Sequence, residues 1–482
     1  MGSHRRAEAA SYNHRENVHM ISRRHFLQSS LTVALVPFLP RVALSATLRV
    51  RPSWATFRKG TLFPVFLETV AKMKANTNAA DPGSWSYWVG VHKNFCPHGR
   101  PYFLAWHRGF LFRFEAQLRK VAANSSLILP YWDYYVDPIL PAEFTDTRSP
   151  LYVPNRAGDD VTNALSLGPF DDSVINFPRY YTNAFEPKVE SLPHNAVHNL
   201  IGGVMSNVML SPTDPIFWVH HGNIDRLWAA WVKADNGRIM PSKTSSYWSG
   251  SFSYGAGVSS MSRIWTYSTS GLNYEYEDES MPAALPASML RAPATLSLQA
   301  LPPKPLDTQT VSLGGAQQLS LDQHSVSIAV PLTAQDQTRV RSLLMKPVAT
   351  TALAGTSIRV VLDGVRLTGL GQKGGYFYKV YINLPDRAGI ALAENNYLLG
   401  TLGPFEITAA QHMQQMQSGA HAPTSDGVQV SFPATEALQR IWPANLGKLS
   451  VSFVRVDGRT QAKGTMITVR EFRVEASDMP AK

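Results

Sequence analysis

Two different patterns of hydrophobic and polar positions divide the chain. Between residues 50 and 278, apolar side chains recur at three- and four-residue spacing, as in residues 63–73 and 110–118. This is the period of a helix with one buried face. Stretches rich in proline and glycine separate the periodic segments. The region is therefore predicted to be mainly α-helical, with a four-helix-bundle core and long loops.

From about residue 308 the period becomes two, which is the spacing of half-buried strands. Four segments carry this alternation most clearly: residues 326–330, 358–362, 378–382 and 449–454. Turn-forming pairs separate the segments, namely Asp363-Gly364, Gly374-Gly375, Pro385-Asp386 and Asp457-Gly458. An all-β sandwich or barrel of roughly seven to nine strands follows from this pattern. The fold class is therefore predicted as α+β multidomain.

A proline-rich stretch lies between the two patterns. Residues 281–306 contain six prolines and almost no periodic signal, which is typical of an extended linker. Four segments are predicted: an N-terminal extension over 1–46, a helical domain over 47–279, a linker over 280–307 and a β-sandwich domain over 308–476.

The N-terminal extension carries a paired arginine, Arg23-Arg24, followed by a moderately apolar run and by small residues at 43–46. This order resembles a twin-arginine export signal and predicts a periplasmic or secreted protein. That route exports folded proteins. It is therefore compatible with the single cysteine, Cys96, which excludes an internal disulfide.

Composition narrows the range of partners. The chain has 482 residues and a formal net charge of +10, and its charges are spread along the sequence. No cluster of Lys and Arg is interleaved with aromatic residues, so nucleic-acid binding is not expected. Beyond the N-terminal region no apolar stretch is long enough to span a bilayer, and stable membrane insertion is not expected either.

Histidines carry the main chemical signal. Seven of the fourteen fall between residues 92 and 221. One group is His92, His98 and His107, and the other is His194, His198 and the pair His220-His221. His194 and His198 are four residues apart, which on a helix directs both imidazoles to one point. With His107 and His221 at the start of periodic segments, three helices and a loop are expected to converge on a metal site.

The donor set limits the choice of metal. Imidazole-only sites suit zinc, copper, iron or nickel. Hydrolytic zinc sites usually have one group of three ligands with a carboxylate nearby, and no His-Glu-x-x-His motif occurs here. Two three-histidine groups without carboxylate ligands favour a copper pair that binds dioxygen. At this point either His220 or His221 could complete the second group.

Two long motifs then identify a family resemblance. Residues 98–115 resemble the first-copper signature of tyrosinases, His-x4-Phe-Leu-x-Trp-His-Arg-x2-Leu-x3-Glu, and residues 214–226 are similar to the second-copper signature. Tyr274-Glu275-Tyr276 looks like the Tyr-x-Tyr end marker of the tyrosinase and polyphenol oxidase family, and residues 378–383 resemble the C-terminal domain of plant members. The resemblance implies two copper ions, with dioxygen as co-substrate. It selects His221 over His220 and gives six ligands: His92, His98, His107, His194, His198 and His221.

The resemblance also implies roles for neighbouring residues. Cys96 is expected to form a thioether with His98. Glu190 and Asn195 are expected to hold a water that accepts the proton of a phenol, whose pKa is ~10, and Glu186 competes with Glu190 for this role. Met205 and Val208 are expected to line the substrate entrance together with Asn195.

Two aspartates are given supporting roles. Asp225 lies four residues after His221 and is expected to orient an imidazole. Asp214 is expected to cap the turn before the last helix of the site.

The predicted function is that of a tyrosinase, which hydroxylates small monophenols at the ortho position and oxidises o-diphenols to o-quinones. The alternatives are a catechol or o-aminophenol oxidase that lacks hydroxylation, and a haemocyanin-like oxygen carrier. The β domain is expected either to cover the copper site or to build a homo-oligomer. Residues 376–378 and the linker are its candidate contacts.

Overall fold

The computed structural model describes residues 48–287, 295–306, 310–345, 357–385, 390–418, 427–443 and 445–477. The N-terminal extension, with its paired arginine, lies outside these residues. The predicted combination of a helical part and a sheet part is confirmed, because helices dominate up to residue 233 and two five-stranded sheets follow.

Eight helices and four short strands form the first part of the described chain: β1 Arg49–Arg51, α1 Trp54–Phe57, α2 Leu62–Ala75, α3 Trp85–Phe95, α4 Phe103–Ala122, α5 Ala142–Thr145, α6 Phe185–Val189, α7 Ala196–Ile201, α8 Ile216–Lys233, β2 Ser251–Phe252, β3 Met261–Ser262 and β4 Tyr274–Tyr276. The periodic segments at 63–73 and 110–118 fall inside α2 and α4, as predicted. Helix α4 packs against both α2 and α8. No described helix combines the length and apolar character needed to cross a bilayer.

Aromatic packing holds α4 and α8 together. The rings of Phe114 and Trp218 are stacked with centroids 3.4 Å apart, and the ring of Trp85 meets both edge-on. Aromatic side chains bury large areas and pack in defined geometries, so this contact fixes the two helices against each other. Both helices carry histidines of the site.

Ten strands and four helices form the second part: β5 Thr295–Gln299, β6 Lys304–Pro305, β7 Thr310–Leu321, β8 Ser325–Pro331, α9 Ala334–Met345, β9 Ile358–Leu367, β10 Tyr376–Ile382, α10 Ile390–Asn396, β11 Leu398–Leu402, α11 Pro404–Ser418, β12 Val428–Pro433, α12 Thr435–Ile441, β13 Lys448–Asp457 and β14 Ile467–Ser477. One sheet has the order β11-β10-β13-β8-β5, and the other has the order β12-β9-β14-β7-β6. Their facing side chains form a second hydrophobic core, which includes Val360, Val380, Phe453 and Phe472.

The four predicted strands are present as β8, β9, β10 and β13. Three details differ from the sequence-based expectation. Asp363-Gly364 does not end a strand, because β9 continues through both residues, with Asp363 opposite Glu471 of β14. The domain is not all-β, since four helices are inserted between strands. Part of the expected linker also forms strands: β5 pairs in parallel with β8, and β6 pairs with β7.

The two hydrophobic cores meet at the end of α7. The backbone N–H of Gly375, just before β10, donates to the carbonyl of Asn199 at 2.7 Å. A Cβ on Gly374, which has a φ of +75°, would lie 2.5 Å from Cα of Gly202. Only glycine tolerates both this approach and this backbone conformation easily. The sheet part therefore contacts the helix that carries His198.

Candidate metal centre

The first histidine cluster is assembled from two helices and the loop between them. His92 lies on α3, His98 lies on the following loop, and His107 lies on α4. All three are buried, and Nε2 of His92 is 3.2 Å from Nε2 of His98. Nδ1 of His107 donates to the carbonyl of Phe103 at 2.8 Å, so its Nε2 carries the lone pair and has no hydrogen-bond partner.

The second cluster comes from α7, the turn before it, and α8. Residues 190–195 form a kinked segment, with Leu192 in an extended conformation, that leads into α7 and places His194 beside His198. Nε2 of His194 is 3.3 Å from Nε2 of His221 on α8. Nδ1 of His198 donates to the carbonyl of Met205 at 2.8 Å, which leaves its Nε2 buried without a partner.

The two clusters face each other. The rings of His98 and His194 are stacked with centroids 5.4 Å apart, and those of His107 and His221 are stacked at 4.5 Å. The structure therefore brings the six sequence-predicted ligands into one buried group.

Burial decides the protonation state of these imidazoles. It is the largest influence holding the pKa of His92, His107, His194, His198 and His221 well below the usual range. Neutral imidazoles with free Nε2 lone pairs cannot satisfy one another by hydrogen bonding, and buried polar atoms without partners are costly. Neutral imidazole is also the form that binds transition metals. The donor set therefore fits two copper ions, each held by three imidazoles.

His220 is also buried close to the second cluster. One ligand atom from each of His194, His198, His220 and His221 lies within 4.8 Å of the others. Burial lowers the pKa of His220 to about 3, and neither of its ring nitrogens has a hydrogen-bond partner. Proximity alone does not separate it from His221. The short contact between the Nε2 atoms of His194 and His221 favours His221, in agreement with the motif.

Cys96 and Glu190 both lie beside the first cluster. Burial raises the pKa of the Cys96 thiol, and its sulfur lies within 4.8 Å of ligand atoms of His92 and His98. The Glu190 carboxylate accepts from the backbone N–H of Gly99 at 2.7 Å and lies 3.6 Å from Nδ1 of His98. The structure places Cys96 and Glu190 where the sequence analysis expected a thioether and a base.

Arg179 distinguishes the two candidate bases, Glu190 and Glu186, because it forms an ion pair with Glu190 only. Its guanidinium pairs with Glu190 and helps to hold the pKa of that carboxyl below its usual range, although burial acts in the opposite direction. Glu186 accepts only from backbone N–H groups, those of Leu104 and Arg179, and burial raises its pKa to about 7. No sequence motif marks Arg179, which lies in a loop.

The expected substrate-entrance residues are covered. Asn195 accepts from Nδ1 of its neighbour His194 at 2.8 Å. Met205 and Val208 are buried, and the backbone N–H of Val208 donates to the Thr408 hydroxyl of α11 at 3.1 Å. The structure therefore places these three residues beside the second cluster, and α11 of the sheet part contacts the segment that carries Met205 and Val208.

Phe405, at the start of α11, lies against both clusters. Its ring stacks on His198 with centroids 4.1 Å apart and meets His98 and His194 edge-on at 5.2 Å and 5.5 Å. Sequence analysis placed the contact at residues 376–378 instead. Of these, Phe377 does join the helical core, but Tyr376 and Tyr378 point into the sheet core. No periodic or motif signal marked Phe405.

The prediction for Asp225 was wrong, whereas that for Asp214 is confirmed. Asp225 accepts from Arg108 at 2.6 Å and from the hydroxyls of Tyr274 and Tyr276 at 2.5 Å and 2.6 Å. Its carboxylate therefore joins α4, α8 and the Tyr-x-Tyr segment and does not orient an imidazole. Asp214 accepts from the backbone N–H of Ile216 at the start of α8.

The common central domain of tyrosinase matches residues 74–179 and 170–234, which include all six histidines. Residues 74–234 of the chain are thus similar to the central domain shared by tyrosinases. A tyrosinase of Hahella sp. (strain CCB-MM4) is 34% identical over 188 residues, which cover 31% of this chain and 40% of that protein. The chain thus spans well under half of this tyrosinase relative.

The chain is also similar to part of a hemocyanin and to a solved tyrosinase structure. Hemocyanin 1 of Megathura crenulata is 32% identical over 180 residues, which cover 30% of this chain and 5% of that protein. The solved structure of a latent apple tyrosinase is similar over 90% of this chain and 98% of its own, with a TM-score of 0.50 and 19% identity. This last likeness concerns the fold, including the sheet part.

Proposed function

We propose that this chain is a copper-dependent phenol oxidase of the tyrosinase family that hydroxylates small monophenols at the ortho position and oxidises o-diphenols to o-quinones with dioxygen. The observation that carries the proposal is the pair of facing clusters, in which the Nε2 atoms of His107 and His198 are buried without partners and the other four Nε2 atoms approach one another in pairs at 3.2 Å and 3.3 Å. Copper, when bound by the six histidines, would supply the redox chemistry. The protein would orient the phenol and move its proton.

Glu190 and Asn195 are the residues proposed to handle this proton. A phenol has a pKa of ~10, so a base must accept its proton near neutral pH. Glu190 is held ionised beside the first cluster, and Asn195 is fixed beside the second cluster by His194.

Two other functions would use the same metal ligands. A catechol or o-aminophenol oxidase would use the same metal ligands without the hydroxylation step. A haemocyanin-like carrier would hold dioxygen without turnover, and the similarity to a hemocyanin segment keeps this alternative open.

Oxygen consumption by the copper-loaded chain separates the three functions. We expect uptake with a monophenol as the sole substrate, and faster uptake with the corresponding catechol. Uptake with the catechol alone would reduce the proposal to a catechol oxidase. Dioxygen binding without consumption would support the carrier. The chain with His198 and His221 both changed to alanine is the matched control for adventitious copper.

The thioether between Cys96 and His98 is part of the same proposal. The buried sulfur lies close to the imidazole, and it has no second cysteine to pair with. The carbon–sulfur bond would form with the loss of two hydrogens to dioxygen. The peptide that contains both residues should therefore be two hydrogens lighter after copper loading, and an unchanged mass would contradict the bond.

We further propose that the sheet part acts as a cover for the site, with Phe405 in the space that a phenol ring would occupy. Its stacking on His198 and the burial of Met205 and Val208 support this role. Cleavage within residues 281–306, followed by removal of the sheet part, should raise activity. Unchanged activity would argue against a cover, and a change in sedimentation alone would support the homo-oligomer instead. Export by the twin-arginine route also remains a proposal.

A further inference from the structure

Glu406, the residue after Phe405, is a partly buried residue, and the hydrogen-bond partners of its carboxyl are all uncharged. One oxygen accepts from the hydroxyl of Thr401 at 2.5 Å, and the other accepts from the side-chain amide of Asn199 at 2.8 Å. The carbonyl oxygen of that same amide accepts from the backbone N–H of Phe405 at 2.8 Å. Asn199 directly follows His198, so one side chain connects the metal-binding helix to the start of α11.

We propose that Glu406 is a pH-dependent latch, whose neutral carboxyl holds α11 and Phe405 over the histidine clusters and whose ionisation releases them. The inference rests on the proposed cover and names its regulation. A carboxylic acid can accept from the Asn199 amide through its carbonyl oxygen and donate its own proton to Thr401. The ionised form keeps both acceptors but places a charge in an apolar interface.

Burial dominates the behaviour of this carboxyl and raises its pKa. The hydrogen bonds from Thr401, Asn199 and the backbone N–H groups of Glu406 and Gly403 act in the opposite direction. The start of α11 also favours a negative charge through its dipole. These influences reduce the penalty but do not reverse its direction, because no cation is among the partners of the carboxyl.

The ionisable groups on the elements packed against α11 do not supply that cation. An electrostatic interaction with Glu406 is found for Tyr376 of β10, whose own pKa is raised, so it is an uncharged phenol. Arg455, which lies over the Tyr376 ring, pairs with Asp457. Strands β11 and β12 and the turn Gly203–Ser206 carry no ionisable residue. The other ionisable groups near α11 are Lys93, His98, His194, His198, Lys373, Glu190 with its partner Arg179, Arg359 with Glu475, Asp363 with Arg473, Arg366, and His412 of α11 itself.

The direction of the pH effect follows from proton linkage. The pKa of Glu406 is higher when α11 is docked than when the carboxyl is in water, so the docked state binds more protons between these two values. Docking is therefore strongest below about pH 4.5, the value for a solvated carboxyl. It weakens as pH rises to the pKa of the docked state, by about tenfold in the docking equilibrium for each pH unit within that window.

Hydrogen exchange across α11 tests the latch without copper or turnover. The protection of the Pro404–Ser418 amides, corrected for the intrinsic pH dependence of exchange, should fall by about tenfold per pH unit in the wild-type chain. In Glu406→Gln, where the amide mimics the neutral acid, this fall with rising pH should be absent. Glu436→Gln, which changes a part-exposed carboxyl of α12, is the matched control and should behave like the wild type.

A second variant keeps the test decisive if Glu406→Gln prevents docking. Thr401→Val removes a hydrogen bond that stabilises the ionised form, so the loss of protection should extend to a higher pH. The latch is wrong if wild-type protection is flat with pH, if Glu406→Gln loses protection in parallel with the wild type, or if Thr401→Val leaves the profile unmoved. These outcomes do not depend on whether the chain oxidises phenols.

Discussion

The two halves of the metal centre hold their histidines in similar ways but have different neighbours. Around the first cluster lie groups that can react or accept protons, namely the thiol of Cys96 and the carboxylate of Glu190. Around the second cluster lie groups that position and cover: the Met205 carbonyl, Asn195 and the stacked ring of Phe405.

This difference suggests a division of labour within one site. In the proposed function, access would be controlled at the second cluster, because Phe405 stacks face-on against His198 there but meets His98 of the first cluster edge-on. Proton transfer would be controlled from the first cluster, where Arg179 pairs with Glu190 and lowers its pKa. The predictions below test each side of this contrast, from the largest expected effect to the smallest.

The largest effect should come from removing a ligand of the second cluster. His221→Ala should leave roughly one copper ion per chain instead of about two and abolish turnover, because three imidazoles are needed to hold each ion. His220→Ala is the matched control on the neighbouring residue, and it should keep both ions. Atomic absorption on the dialysed proteins gives the answer. If the two variants exchange behaviours, His220 is the ligand and the motif-based choice is wrong.

Removing the cover should have the next largest effect. Phe405→Ala should raise the activity of the intact chain by roughly tenfold or more, since it frees the space next to His198 while leaving every metal ligand in place. Initial rates on a catechol, at equal copper content, measure the effect.

Phe377 provides the control for this variant. It is buried in the same hydrophobic core as Phe405. Its ring contacts none of the histidine rings that the ring of Phe405 contacts. Phe377→Ala should cost about 3–5 kcal/mol of stability without activating the enzyme. Equal activation by both variants would mean that general loosening, and not the vacated space, exposes the site.

A smaller effect is expected on the proton-transfer side. Glu190→Gln should lower kcat for a monophenol by roughly 10- to 100-fold and change kcat for a catechol much less, because only the monophenol reaction includes the hydroxylation step assigned to this base. Glu186→Gln should affect the two substrates equally. A loss of monophenol turnover alone in the Glu186 variant would identify Glu186, and not Glu190, as the base.

The helical half of the site could be predicted from the sequence more completely than the cover. Three of the six histidines, His98, His107 and His221, sit in long motifs, and a motif separated His221 from its neighbour where burial alone does not. Strand periodicity located β8, β9, β10 and β13 for a similar reason, since alternation is a local property of the sequence.

Contacts between distant segments could not be obtained in this way. Phe405 follows His198 by more than two hundred residues, and its environment is created only when α11 packs on α7. For Asp225, local spacing in the sequence suggested a contact that the structure does not contain. Its spacing from His221 suggested a role at the metal, but two tyrosine hydroxyls and an arginine from elsewhere in the chain occupy its carboxylate.

The smallest expected effect concerns the other buried carboxyl near the first cluster. The pKa of Glu186 is about 7 in the folded chain, above the value of 4.5 for a solvated carboxyl. The folded state therefore binds more protons between these values, and this residue makes the fold less stable as pH rises through that range. The loss should reach about 3 kcal/mol at most, since one pKa unit corresponds to about 1.4 kcal/mol. Denaturant unfolding of the metal-free wild type and of Glu186→Gln at pH 5 and pH 8 should show this loss as the difference between their two pH dependences, because the buried histidines, which favour the fold at higher pH, are present in both. If the two dependences are the same, Glu186 is ionised in the folded chain, as Glu190 is.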